Sequence, residues 1–217
     1  MIARSYDNTN RISFEGSYGI VADFIKKIPE DAMFIDIGAN QGCTSILASH
    51  ILRKYKKKGG HILAFEPSGS SFKLMLKNLN LNNCSNVFTF NKAVSKEYSD
   101  LFLDDNDSGN SGASRISSEG HRVPAGPINI NDIKQFDGYK NIYIKIDTEG
   151  YEMNILKGIQ NLFEAKLIRK LVIEIDAINL KKYGNSPSEV YRFLDKNGFK
   201  PTMGLKVGHY DEIFKEK

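Results

Sequence analysis

Cysteine is scarce in this chain of 217 residues: there are two, Cys43 and Cys84, and neither stands in a CxxC or Cys/His ligand pattern. That argues against a structural zinc site and against a disulfide framework; Cys43, inside a glycine-rich stretch, reads as a small packing residue. Long apolar runs are missing too, and none approaches the roughly 20 residues needed to cross a bilayer. The N-terminus, MIARSYDNTN, has no apolar segment of the secretory kind, so the expectation is a cytoplasmic protein without a membrane span. A large excess of charge of one sign is also missing: 30 Lys and Arg against 26 Asp and Glu leave a formal net charge of +4. The one basic run, KYKKKGG at 54–60, follows an apparent helix, and both Lys and Gly are favoured at a helix C-terminus. No aromatic-interleaved basic surface accompanies it, so nucleic acid is not an expected partner.

What is present is an alternation of strand-length apolar runs with helical patterns. Strands are expected at 33–38, 61–67, 86–90, 141–147 and 170–176. Between them, residues 44–54 form a helical pattern with Ile46, Leu47, Ile51 and Leu52 on one face. Residues 68–81 form another, with Phe72, Leu76 and Leu79 near helical spacing and Ser68 or Ser70 as cap. A third helix is expected at 151–163. A fourth opens at Ser186, with Pro187 at its first position and Glu189 in a capping-box arrangement, and ends at Gly198. Such alternation implies βαβ units: an α/β fold with a mostly parallel central sheet and helices on both faces. One domain over 1–217 is expected, with 1–30 as a helical lead-in. Residues 104–127, rich in Gly, Ser, Asn and Asp, read as a polar surface loop or a lid.

In parallel sheets ligands bind outside the carboxyl ends of the strands, and the motifs fall there. The first strand runs into DIGANQG, with Asp36 as its last inward carboxylate and Gly38 and Gly42 permitting a tight turn. The free amides of the next helix suit the carboxylate of an amino-acid moiety, and Asp36 suits an ammonium, directly or through water. The second strand ends at Glu66, which could accept both ribose hydroxyls of a nucleoside. A dinucleotide fingerprint requires GxGxxG, but Asn40 replaces the second glycine and no third follows. That disfavours NAD and an oxidoreductase, and suits a cofactor without phosphate, such as S-adenosylmethionine.

FIDIGANQG, AFEPSGSSFKLMLKNLNLNN and IKIDTEGYEMNILKG, in that order, closely resemble the FkbM-type methyltransferases, and the likeness runs from about residue 34 to 201. The resemblance implies a class I methyltransferase (Rossmann-like) fold, S-adenosylmethionine as donor and a hydroxyl as acceptor, often on a sugar or glycan unit and sometimes on a polyketide. It places Asp36, Gly38, Asn40 and Gly42 on the methionine part, Glu66 on the ribose, Pro67 and Ser68 at its rim, and Asn91 to Ala93 near the adenine. One departure is visible. The family often has Leu-Asp before the fourth strand, where this chain has Ile130-Asn131-Asp132.

Methyl transfer to a hydroxyl needs a base within hydrogen-bond reach, or a cation that lowers the hydroxyl's pKa. Asp147 ends the fourth strand at the ligand edge, Glu149 follows in the turn, and Gly150 admits a sharp entry into the helix. Glu152 reads as a first-turn acid at a helix N-terminus. Glu174 and Asp176 alternate onto one face of the fifth strand. Asp147 is therefore expected as base or as ligand of a divalent cation (Mg or Mn), with Glu149 and Glu174 supporting it and Glu174 as the second ligand. Lys145 would orient an acceptor oxygen or pair with a neighbouring acid, and His121 would reach the site only if its loop folded over it. The expected function is O-methylation of a sugar hydroxyl in a glycan or glycoconjugate, by a free enzyme, a homo-oligomer or a domain of a larger glycan-building protein. A methyltransferase-like module without turnover is the rival reading.

Overall fold

The computed structural model describes residues 18–29, 31–55, 60–104, 115–136 and 138–217. In chain order the elements are α1 (Tyr18–Lys26), β1 (Met33–Ile37), α2 (Cys43–Tyr55), β2 (Ile62–Phe65), α3 (Gly69–Leu81), β3 (Val87–Phe90), β4 (Ala93–Val94), β5 (Ser99–Asp104), β6 (Arg115–Ser117) and β7 (His121–Gly126). There follow α4 (Ile130–Ile133), β8 (Ile142–Ile146), α5 (Glu152–Gly158), α6 (Gln160–Glu164), β9 (Ile168–Asp176), α7 (Ala177–Lys182), α8 (Pro187–Lys196), β10 (Phe199–Pro201) and β11 (His209–Glu216). Helix α1 lies within the expected lead-in, whose residues 1–17 and 30 fall outside the described ones.

The main sheet has the order β10-β11-β9-β8-β1-β2-β3. From β3 to β9 its pairings are parallel; β11 joins β9 and β10 antiparallel. Alternate residues of the central strands enter opposite cores. Met33, Ile35 and Ile37 of β1 and Ile142, Ile144 and Ile146 of β8 pack in one cluster; Phe34 and Tyr143 pack in another with α1 and α2. Burial on both faces explains why these strands read as near-continuous apolar runs. Strand order reverses at β1, where β2 lies to one side and β8 to the other, and a ligand crevice is expected at that switch point.

The expected strands stand, but four expectations need correction. Residues 115–117 and 121–126 are strands, where a polar loop was expected: with β4 and β5 they form a second sheet, β4-β7-β5-β6. Val123 and Ala125 alternate inward beneath an otherwise polar, proline-bearing sequence, so composition concealed the strand. Residues 105–114 of the same stretch lie outside the described residues. The helix expected at 151–163 breaks at Ile159, because the Gly158 carbonyl accepts from the Ile128 N–H; a Cβ at Gly158 would sit 2.4 Å from the Ser95 carbonyl oxygen. In α3 it is Met75, not Leu76, that enters the core. At α8 the Ser186 hydroxyl bonds the Glu189 carboxylate at 2.9 Å, and no capping box forms. The capping of α3 by Ser68 is as expected, its oxygen accepting from Ser71 N–H at 3.4 Å.

Candidate active site

The turn after β1 is shaped by close approach. Gly38 has φ +78°, and a Cβ there would lie 1.8 Å from the carbonyl oxygen of Asp147. The glycine turn thus rests directly on the chain leaving β8, and Asp147 N–H donates to the Ile37 carbonyl at 3.1 Å. Gly42, φ +86°, admits the Met75 side chain in the same way. Asn40 takes φ 49°, a left-handed conformation that Asn tolerates, and its N–H donates to Glu66 Oε2 at 2.7 Å. The other oxygen of Glu66 accepts from Ser68 N–H at 2.8 Å. Glu66 therefore ties the turn after β1 to the start of α3. Asn91 fixes the rim, its amide donating to the carbonyls of Glu66 and Pro67 at 2.9 and 3.1 Å.

A single cavity collects most of the residues that the sequence singled out. Gly38, Asn40, Glu66, Pro67, Ala93, Asp147, Glu149 and Glu174 line it. Asp36, Gly42, Ser68 and Lys145 do not; they lie behind the lining. Asp36 is fully buried and accepts from the Ser45 hydroxyl at 2.6 Å. The ladder sets it directly beside Lys145, whose ammonium is 3.5 Å from Asp36 Oδ1 and 3.1 Å from Asp147 Oδ2. The ammonium that Asp36 meets in this structure thus belongs to the chain itself. Burial alone would lower the pKa of Lys145, but Asp147 and Asp36 beside it hold it well above its ordinary value. Lys145 is a buried cation pairing two acids, the second of the two roles expected for it. His121 is exposed on β7 and is not among the lining residues.

The acids beyond β8 and β9 converge. Asp147, Glu149 and Glu174 each bring a carboxylate oxygen within 4.8 Å of the others. Glu149, at φ 56°, is held by the Asn179 amide at 2.7 Å. Burial, then the nearby Asp147 charge, pushes the Glu149 carboxyl up. Burial with Asp147 and Glu149 beside it pushes Glu174 up to about 9, and His209 Nε2 lies 2.6 Å from its Oε1. Asp176 does not join them; it caps α7, accepting from the N–H groups of Ile178 and Asn179 at 2.8 and 3.2 Å. Glu152 is buried, and its Oε1 accepts from the N–H groups of Thr148 and Gly150 and from the Thr148 hydroxyl, bracing the turn that carries Asp147 and Glu149.

A carboxyl whose folded pKa is raised from 4.5 to about 9 binds more protons folded than unfolded across that window. Its contribution is fully present below pH 4.5 and is lost as pH rises toward 9. With chelator present, the Tm of the wild type should therefore fall between pH 5 and pH 9, with a shallower fall for Glu174→Gln, about level with the wild type at pH 5. Parallel slopes in differential scanning calorimetry would remove Glu174 as the cause.

Sequence reasoning missed several lining residues. Leu103 and Ile116, from the second sheet, form an apolar wall, and Thr148 and Tyr151 line the cavity beside it. Tyr183 hydroxyl donates to the Ile116 carbonyl at 2.7 Å, which fastens that wall to the segment after α7. Spacing carries no signal for these contacts, since they depend on how one sheet packs over the other.

Among known proteins, "Methyltransferase 1" of Beauveria bassiana is 25% identical over 173 residues, covering 70% of this chain and 67% of its own. The hexuronic acid methyltransferase of Haloferax volcanii is 21% identical over 181 residues, covering 83% and 69%. Magnesium protoporphyrin IX methyltransferase from Synechocystis PCC 6803, solved with bound S-adenosylmethionine, superposes with a TM-score of 0.51 at 12% identity, covering 93% of this chain and 78% of its own. The fold is the class I methyltransferase, Rossmann-like fold. The family model of the methyltransferase FkbM domain matches residues 36–201, from the buried acid of the first turn to the end of β10, and the chain belongs to that methyltransferase family.

Proposed function

We propose that this protein transfers a methyl group from S-adenosylmethionine to a hydroxyl of a sugar in a glycan or glycoconjugate. The observation that carries the reading is the contact between the two halves of the cavity. The glycine turn that would hold the donor rests on the backbone of Asp147, so a base and a donor pocket share one wall. In this reading Gly38, Asn40 and Gly42 shape the turn around the methionine part. Asp36 acts from behind, through Ser45 and Lys145. Glu66 takes the ribose, Pro67 and Ser68 shape its rim, and Ala93 lies against the adenine. Supporting the donor is the Synechocystis relative of the same fold, solved with that cofactor. Supporting a sugar acceptor is the Haloferax volcanii relative, named for a hexuronic acid.

Methyl transfer is an in-line displacement: the acceptor oxygen forms its bond to the methyl carbon as the carbon–sulfur bond breaks, leaving S-adenosylhomocysteine. Asp147, facing the cavity, takes the hydroxyl proton. The hard oxygen donors of Asp147, Glu149 and Glu174 also fit a divalent cation such as Mg or Mn. Such an ion, when bound, would lower the pKa of the acceptor hydroxyl.

Glu66→Ala removes a charged acceptor and leaves two backbone N–H groups without it. S-adenosylmethionine affinity by calorimetry should fall roughly 10- to 100-fold, as expected for the loss of hydrogen bonds to a charged group. An unchanged affinity would remove Glu66 from the donor site. The reaction itself is tested by mass spectrometry of a panel of glycosides incubated with enzyme and donor. A mass gain of one methyl on a glycoside, lost on acid hydrolysis only with the sugar, is the expected result. Silence on every acceptor would reject the sugar assignment, and failure to bind the donor would reject the whole reading.

A further inference from the structure

We propose that the edge formed by residues 202–208 and α7 is a docking surface for a bilayer rich in anionic headgroups. Three side chains of the connection between β10 and β11 stand out from the protein: Met203 is 47% exposed, Leu205 56% and Val207 fully exposed. They alternate with Gly204, Lys206 and Gly208. Ile178, at the start of α7, is 75% exposed. The ladder brings these elements together, because His209, which follows the connection, pairs with Asp176, which precedes α7.

This connection is held, not loose. Glu212 is completely buried, and its carboxylate accepts from the backbone N–H groups of Thr202 and Met203 at 3.0 Å each and of Gly204 at 2.8 Å. The hydroxyls of Thr202 and Tyr191 also bond it, and the Lys206 N–H donates to the Tyr210 hydroxyl at 3.0 Å. A buried carboxylate needs such donors to offset its lost hydration. The consequence is a backbone fixed with its apolar side chains turned outward, so the ordering cost of binding is already met in the free protein.

The charge pattern selects the partner. Residues 177–182 and 202–208 carry Lys181, Lys182 and Lys206 and no acid. The adjacent Asp176 is engaged in capping α7, and Glu174 is in contact with His209. Lys206 lies with its ammonium 3.3 Å from the Met203 sulfur and 5.8 Å from the Tyr210 ring centre, its stem running along apolar surface as an interfacial lysine does. Aliphatic side chains that enter the headgroup layer, with cations and a tyrosine at their rim, match an anionic bilayer. A second copy of the chain would instead set lysines against lysines. The surface borders the cavity, since Glu174 lines it and touches His209.

The test is co-sedimentation with vesicles, independent of any acceptor. The intact protein should pellet with equimolar phosphatidylcholine and phosphatidylglycerol and far less with phosphatidylcholine alone. Leu205→Ser/Val207→Ser should lose at least about tenfold in partitioning, given the apolar surface removed. Lys181→Glu/Lys182→Glu should weaken binding to the anionic vesicles. Both variants should keep the wild-type Tm, and Leu76→Ser, at another exposed apolar site, should bind as the wild type does. Absence of binding to the anionic vesicles, or equal binding by the serine variant, would overturn the proposal. So would a concentration-dependent dimer in sedimentation velocity that the serine variant abolishes, which would assign the surface to self-association.

Discussion

Asp147→Asn is expected to lower turnover by roughly 10²- to 10⁴-fold, the usual contribution of a positioned proton acceptor, while S-adenosylmethionine affinity changes little. The substitution keeps the shape of the side chain and removes its basicity. The expected separation of the two effects follows from where Asp147 sits. Its backbone contacts the glycine turn and would be unaltered, while its carboxylate projects into the cavity beside the Lys145 ammonium. Glu174 is pushed up by burial and by its acidic neighbours Asp147 and Glu149, which disfavours its charged form beside them. Single-turnover methyl transfer and calorimetry on the same preparation measure both quantities. Near-normal turnover would reject Asp147 as proton acceptor. Dialysis against a chelator then separates two roles for the same carboxylate. A wild-type rate that survives chelation and is lost in Asp147→Asn makes it the base; a rate lost in both and restored by Mg or Mn makes it a ligand.

What the sequence disclosed depended on whether the signal was local. FIDIGANQG and IKIDTEGYE announce themselves because each packs a buried strand, a turn and a helix start into a few residues, and both turns meet at the switch point. Glu66 was legible for the same reason, at the end of the next strand. The relation between Asp36 and Lys145 was not. It arises from the register of β1 on β8, two segments far apart in the chain; from spacing alone Asp36 looked like a ligand contact, and Lys145 was open between orienting an acceptor oxygen and pairing with an unspecified acid. β11 was hidden by Glu212, a charged residue at a fully buried position, whose reason is the connection it holds. β7 was hidden by proline and charge on its outer face. Glu152 read as an ordinary first-turn acid, but its partners are backbone N–H groups of the preceding turn, which only the fold brings to it.

Lys145→Met is expected to destabilise the protein by about 3–5 kcal/mol, the cost of removing one partner from a buried charge cluster. Lys145 is 7% exposed and Asp36 fully buried, so water cannot replace the lost ammonium. Asp36 would keep the Ser45 hydroxyl and nothing of opposite charge. At roughly 2–4 °C per kcal/mol for a domain of this size, the Tm should fall by about 6–20 °C. The sign with pH follows from the raised pKa of Lys145: its stabilisation is fully present below its ordinary value of 10.5 and is lost only above the folded value. A second substitution tests the cause. Asp36→Asn in the Lys145→Met background removes the orphaned charge, and the double variant should regain part of the loss in urea unfolding, a coupling of about 1–3 kcal/mol. Strict additivity would mean that Lys145 acts through its packing alone. Coupling would establish that the pair behind the glycine turn keeps the floor of the cavity neutral, so that the turn and Asp147 stay aligned without a ligand present.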